Sequence, residues 1–259
     1  MESHHRVEQR QGEDGNMWAW PTLDRRCWKA MIKHWFMAEK VMQLTSRYHK
    51  DIDKNVMIQA GGNVGVYAWQ YAQMFDSVYT FEPEDLNFYC LERNIADQKN
   101  IKATKAFLGK QSGTAGIKNH ANDKAVARTD KYPDGRPTEY NTGAYEIDGN
   151  GEIPVIEIDS MNLPQCDLIH LDIEGSELDA LKGAENTIKH HKPILCLEWF
   201  YNTDILKSLL DDWGYEEIVR NALAMGSDKT ATEKNVEFAK DLLEHGFGGT
   251  KFVEFLRRA

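Results

Sequence analysis

The stretch Val56-Met57-Ile58-Gln59-Ala60-Gly61-Gly62-Asn63-Val64-Gly65, with Tyr79-Thr80-Phe81-Glu82-Pro83 after it, decides how this chain is read. An apolar run of strand character breaks into a glycine turn, and the next apolar run closes on a carboxylate. Parallel α/β sheets hold nucleotide-like cofactors with that pairing. The main chain approaches the ligand at the glycines, and the acid ending the next strand takes the ribose hydroxyls. Gly61, Gly62 and Gly65 do not have the G-x-G-x-x-G spacing of dinucleotide enzymes, so an NAD-dependent oxidoreductase is the weaker reading. They fit x-x-G-x-N-x-G after a strand. Gly61 allows the turn, Gly65 opens the helix that follows, and Asn63 can donate and accept there. Backbone N–H groups of this turn are expected to face a ligand carboxylate.

Outward from that turn, strand and helix patterns alternate. Strands are predicted at 56–60, 78–82, 101–108, 168–172, 194–198 and 216–219, and helices at 64–75, 84–97, 176–190 and 202–212. Such alternation implies an α/β fold: a doubly wound, mostly parallel sheet with right-handed crossovers. Residues 51–220 form this domain, and an insert at 109–152 interrupts its rhythm. The insert reads as edge hairpins, with strand candidates at 114–118, 140–147 and 153–158. A loop near 119–139 carries the turn Tyr132-Pro133-Asp134-Gly135.

The ends are assigned separately. Residues 1–16 read as a flexible tail and 17–50 as an N-terminal helical cap. Leu23, Cys27, Met31, Trp35, Ala38 and Met42 recur at helical spacing there. Trp18, Trp20, Trp28 and Trp35 either pack this cap onto the main domain or face a substrate. Residues 221–259 read as a helical extension, with helices at 231–244 and 250–258.

A net charge of −10 over 259 residues argues against nucleic acid and against anionic membranes as partners. Cys27, Cys90, Cys166 and Cys196 form no CxxC pair, so neither a zinc site nor a disulfide framework is indicated. With no long apolar run and a polar start, the chain reads as a cytoplasmic protein. Its oligomeric state is not legible.

Three segments resemble the FkbM-type family of class I S-adenosylmethionine-dependent methyltransferases, which have a Rossmann-like sheet. They are Gln59 to Gly65, then Phe81-Glu82-Pro83, then Leu171-Asp172-Ile173-Glu174-Gly175-Ser176-Glu177. The last, D-x-E-G-x-E, is the most specific, and Lys192 to Glu198 extends the likeness. The resemblance implies S-adenosylmethionine across the carboxyl ends of the strands. Its methionine end would lie at Gly61, Gly62, Asn63 and Gly65, its ribose at Glu82 and Pro83, and its adenine near Phe107 and Leu108. Family members usually carry Asp where this chain has Gln59, an acid that helps hold the cofactor's ammonium group; many also have Lys where this chain has His170. The acceptor class implied is a hydroxyl on a sugar, glycan or small natural product.

Taking the proton from an alcohol needs a base at the carboxyl ends of the middle strands. Asp172, ending the fourth strand, meets that condition best, and Glu174 and Glu198 can share the pocket. His170 has the parity of Asp172 and is a base candidate near neutral pH, against a hydrogen-bonded core role. Glu177 belongs to the first turn of the next helix. Asn141-Thr142-Gly143 resembles a family element that contacts substrate, and reads equally as a turn. Asp172, Glu174 and Glu198 could ligate a divalent cation, but nothing in the spacing demands one and no metal is assigned. The rival reading is a non-catalytic cofactor-binding or assembly module that keeps the fold, favoured by Gln59.

Overall fold

The computed structural model describes residues 7–22, 24, 28, 42, 53–118, 146–198, 203–220 and 252–257. Its elements run β1 (Val7–Gln11), β2 (Met17–Pro21), β3 (Val56–Ala60), α1 (Val66–Ala72), β4 (Ser77–Phe81), α2 (Asp85–Asn94), β5 (Ile101–Thr104), β6 (Phe107–Leu108), β7 (Gly113–Lys118) and β8 (Glu146–Ile156). A 3-10 turn at Ile158–Met161 leads to β9 (Leu168–Leu171), α3 (Glu177–Lys182), α4 (Glu185–His191), β10 (Ile194–Glu198), α5 (Thr203–Asp212), β11 (Tyr215–Arg220) and β12 (Phe252–Arg257).

Seven strands form the central sheet in the order β11-β12-β10-β9-β3-β4-β5. The pairs β3–β4, β4–β5, β3–β9 and β9–β10 are parallel, and β12 runs antiparallel to β10 and β11. The chain builds outward from β3 through β4 to β5, then returns to the other side of β3 as β9. The boundary between β3 and β9 is therefore a topological switch point, where ligands of open α/β sheets bind outside the carboxyl ends of the strands.

Strand alternation divides the core between the two faces of the sheet. Met57, Leu168, Ile194 and Cys196 meet Val66, Ala68 and Tyr71 of α1. Ile58, Ala60, Ile169, Leu171, Leu195 and Leu197 meet α3, α4 and α5. Cys90, Cys166 and Cys196 are buried. Among the described residues no helix is long and apolar enough to cross a membrane.

Several expectations are corrected. The presumed tail 1–16 contains β1, which pairs antiparallel with β2. The polar sequence of β1 gives no strand signal; its partner supplies one, because Trp18 and Trp20 are sealed in the core. Asn94 of α2 latches this hairpin. Its Oδ1 accepts from Ala19 N at 2.7 Å, and its Nδ2 donates to Ala19 O at 2.9 Å and Val64 O at 2.8 Å. Of the expected helical cap, Met17–Pro21 is instead the strand β2 and Thr22 and Asp24 are not helical, Trp28 and Met42 are helical, and the remaining residues lie outside the described ones.

The single strand at 101–108 splits, because the chain leaves β4 after Thr104 and pairs Phe107 and Leu108 with Val155 and Ile156 of β8. The insert does form an antiparallel pair, β7 with β8. The helix at 176–190 breaks at Gly183, where a Cβ would lie 2.0 Å from Gly109 O and whose own carbonyl accepts from Asp159 N at 2.8 Å. Asp159 then caps α4 by accepting from Asn186 N at 3.0 Å and Thr187 N at 2.8 Å. The helix expected at 250–258 is the strand β12, a run short enough for periodicity to mislead. The helix at 231–244 and Asn141-Thr142-Gly143 lie outside the described residues.

Candidate active site

The register of the parallel strands aligns their carboxyl ends. Ala60 pairs with Phe81 on one side and Leu171 on the other, and Leu171 pairs with Leu197. The next residues, Glu82, Gly61, Asp172 and Glu198, therefore form one row along that edge, and adjacent strands lie about 4.8 Å apart. One turn of the pleat below runs a polar row of Thr80, Gln59, His170 and Cys196.

The turn after β3 is held from all sides. Gly61 has φ +82°, and a Cβ there would lie 1.9 Å from the backbone oxygen of Asp172. Only glycine permits that approach of β3 to β9. Gly65, at φ +92°, opens α1. The expectation that this turn's N–H groups face a ligand is corrected for three of them. Gly62 N donates to Phe81 O at 2.8 Å, Asn63 N to Glu82 Oε2 at 2.7 Å and Gly65 N to Gly62 O at 2.8 Å.

Gln59 is fully buried, and its amide clamps the turn. Nε2 donates to Gly61 O at 2.9 Å, and Oε1 accepts from Thr80 Oγ1 at 2.6 Å. Each end of the amide makes one bond to the scaffold.

Glu82 is 4% exposed. Besides Asn63 N, its carboxylate accepts from Glu84 N at 3.0 Å and Asn87 Nδ2 at 3.5 Å, both on Oε1. Burial pushes its pKa up to about 8 against these donors. Pro83, half-buried, lies two residues past the end of β4, and Phe107 and Leu108 are buried in β6 beyond β5.

On the other side of Gly61 the carboxyls cluster. Asp172 and Glu198 share a side-chain hydrogen bond, and burial raises both pKa values. Glu198 goes up to about 11, driven next by the charges of Asp172 and Glu174, so it is the partner that carries the proton. Among the described residues its Oε2, which is sealed from solvent, has no hydrogen-bond partner. Glu174 has φ +52° and is followed by Gly175 at +100°, two successive left-handed residues. Strained backbone of this kind concentrates at functional sites. Glu177, in the first turn of α3 as expected, holds that loop by accepting from Ile173 N at 3.0 Å and Gly175 N at 3.4 Å.

His170 stands apart from this edge. It is wholly buried, Tyr71 Oη lies 2.9 Å from its Nδ1, and Tyr67 stacks on its ring at 5.7 Å. Burial lowers its pKa to about 3, so it is a neutral core group and not the base that its parity suggested. Among the described residues no group of acids, His and Cys is arranged to hold a metal ion.

The family model of the methyltransferase FkbM domain matches residues 59–217, which include the whole row. The chain belongs to the FkbM methyltransferase family. Solved structures that this chain is similar to include a methyltransferase FkbM from Methylobacillus flagellatus KT, at 18% identity and TM-score 0.45. That likeness covers 78% of this chain and 43% of the other, so this chain spans less than half of that relative. TYW2 of M. jannaschii, solved in complex with AdoMet, is 11% identical at TM-score 0.46, covering 98% of this chain and 87% of that one. No curated protein matches.

In this member of the FkbM methyltransferase family, sequence reasoning missed three positioning residues: Asn87, Thr80 and Tyr71. Only Thr80 had a signal, its place opposite Gln59 in the strand alignment.

The buried groups set a pH dependence. His170, with a folded pKa near 3, binds fewer protons than the unfolded chain between about pH 3 and 6.5, so its contribution to stability grows as pH rises through that window. Glu177 (about 7) and Glu82 (about 8) do the opposite: their contribution is full below about pH 4.5 and is lost as pH rises to those values. Urea denaturation of the unliganded protein should show greatest stability at mildly acidic pH and a decline toward pH 8. Glu82→Gln should flatten the alkaline limb, whereas an unchanged limb would contradict the raised pKa.

Proposed function

We propose that this protein is an S-adenosylmethionine-dependent O-methyltransferase acting on a hydroxyl of a sugar, glycan or small natural product. The observation that carries the cofactor assignment is Glu82. It is a buried carboxyl group at the end of β4, next to β3. Oε1 takes Glu84 N and Asn87 Nδ2, while Oε2 takes only Asn63 N and keeps a lone pair for a ribose hydroxyl of a nucleoside. The net charge of −10 favours a small acceptor over a nucleic acid. Gln59, whose identity on sequence grounds favours a non-catalytic module, is spent on the turn and does not support that alternative.

S-adenosylmethionine supplies a methyl group on a sulfonium, open to in-line displacement. The protein aligns the acceptor oxygen with it and takes the hydroxyl proton. Asp172 already accepts a hydrogen bond from Glu198, which makes it a weaker base than its position suggests. Glu174, on the strained loop after β9, takes the base role. Glu177 positions that loop through Ile173 and Gly175.

The test is transfer of a labelled methyl group to a panel of sugar and natural-product hydroxyls. Glu174→Gln should lower kcat by about 10²–10³-fold and change the cofactor Kd by less than about threefold. Cofactor binding with no transfer to any hydroxyl would remove the O-methyl assignment and leave a binding module.

A further inference from the structure

Most of the carboxyls at this edge have an account: Glu82 faces the ribose, Glu174 takes the proton and Glu177 holds its own loop. Asp172 and Glu198 do not. They lie in the same strand-end row as Gly61, on the side away from Glu82. Asp172 is the immediate neighbour of the turn, its backbone oxygen lying where a Gly61 Cβ would fall. Glu198 is 8% exposed, and its Oε2 finds no partner among the described residues. An acceptor oxygen buried without a donor is costly unless a ligand supplies one. Burial raises the pKa of both side chains, and the charge of Asp172 raises that of Glu198 further.

A nucleoside whose ribose sits at Glu82 extends its amino-acid end along this row, past Gly61 and toward Asp172. That end carries an ammonium group, with three donors and one positive charge. An acid at position 59 would be the obvious partner, but Gln59 is neutral and its amide is turned into the turn and Thr80. We propose that the Asp172–Glu198 carboxyl pair holds the ammonium group of the cofactor's amino-acid end, replacing an acid at position 59. This rests on the cofactor assignment above and names the residues that grip its second end. An ammonium supplies the donor that Glu198 Oε2 lacks, and a positive charge that offsets burial of carboxylates.

The test uses two ligands that differ at that end, with affinities read by calorimetry. S-adenosylhomocysteine carries the ammonium and no sulfonium charge, and 5′-methylthioadenosine has the nucleoside but no amino-acid end. The double variant Asp172→Asn/Glu198→Gln keeps the shape of the pair and removes its charge. It should bind S-adenosylhomocysteine about 10–100-fold more weakly than the parent and 5′-methylthioadenosine as well as the parent. Glu82→Ala should weaken both ligands. Thermal unfolding of the double variant checks that it is folded, and the single variant Asp172→Asn serves in its place if it is not. Unchanged affinity for S-adenosylhomocysteine, or an equal loss for both ligands, would overturn the pairing and leave the cofactor assignment standing. If the parent bound neither ligand, the cofactor assignment and the pairing would fall together.

Discussion

Gly61→Ala should leave little folded protein at room temperature. The Cβ would sit 1.9 Å from the backbone oxygen of Asp172, so β3 and β9 must separate at the centre of the sheet. The residue must also keep φ at +82°, which L side chains rarely adopt. Backbone cannot yield as a flexible side chain does, and the expected loss is above about 5 kcal/mol, as large as the whole stability of a domain at the low end of the usual range of about 5–15 kcal/mol. Gly15 separates the two causes. It has φ +81° with nothing within 4 Å of the place a Cβ would take, so Gly15→Ala should cost only about 1 kcal/mol. Urea denaturation of both variants measures the difference. Equal losses would mean that backbone conformation alone, and not the approach of β9, dictates glycine at position 61.

Glu82→Ala should weaken binding of S-adenosylmethionine by about 10–100-fold above pH 8, where the Glu82 carboxyl is ionised, since a hydrogen bond from a ribose hydroxyl to a charged acceptor contributes about 1.5–3 kcal/mol. The same change strips the acceptor from Asn63 N and Glu84 N, loosening the bend that follows β3 and the entry to α2. Glu82→Gln keeps one acceptor oxygen and should fall between the parent and Ala. Calorimetric titration of the three proteins, with thermal unfolding as the check on folding, measures the order. Parent-like affinity in Glu82→Ala would place the ribose elsewhere.

The architecture was legible where local pattern and tertiary role agree. Val56–Ala60 and Ile194–Glu198 are apolar runs closed by a turn or an acid, and both are strands with those bounds. The ends of the chain were not legible, for reasons visible in particular residues. Val7–Gln11 has no apolar alternation, because its strand state is imposed by pairing with the buried tryptophans of β2. Gly183 broke one helix into two because a neighbouring loop docks on it, a contact with no trace in the local sequence. In the site, the glycine turn and the acids Glu82, Asp172, Glu174 and Glu198 could be picked out, since each ends or follows an apolar run. Their division of labour could not. Whether Gln59 faces a ligand depends on Thr80, and whether Asp172 is a base depends on Glu198; the strands carrying these partners are joined only by the sheet. For His170 the sequence left a base and a hydrogen-bonded core role open, because parity fixes which face a side chain takes and says nothing of Tyr67 and Tyr71, which seal it in the core role.

A nucleoside bound across the ends of β4, β3 and β9 is what the rest of the account requires. Titrating S-adenosylmethionine into the parent protein by calorimetry tests it most directly. The account predicts saturation at one site per chain with a Kd between about 1 μM and 100 μM. No saturable heat up to millimolar cofactor, from protein shown to be folded, would contradict it.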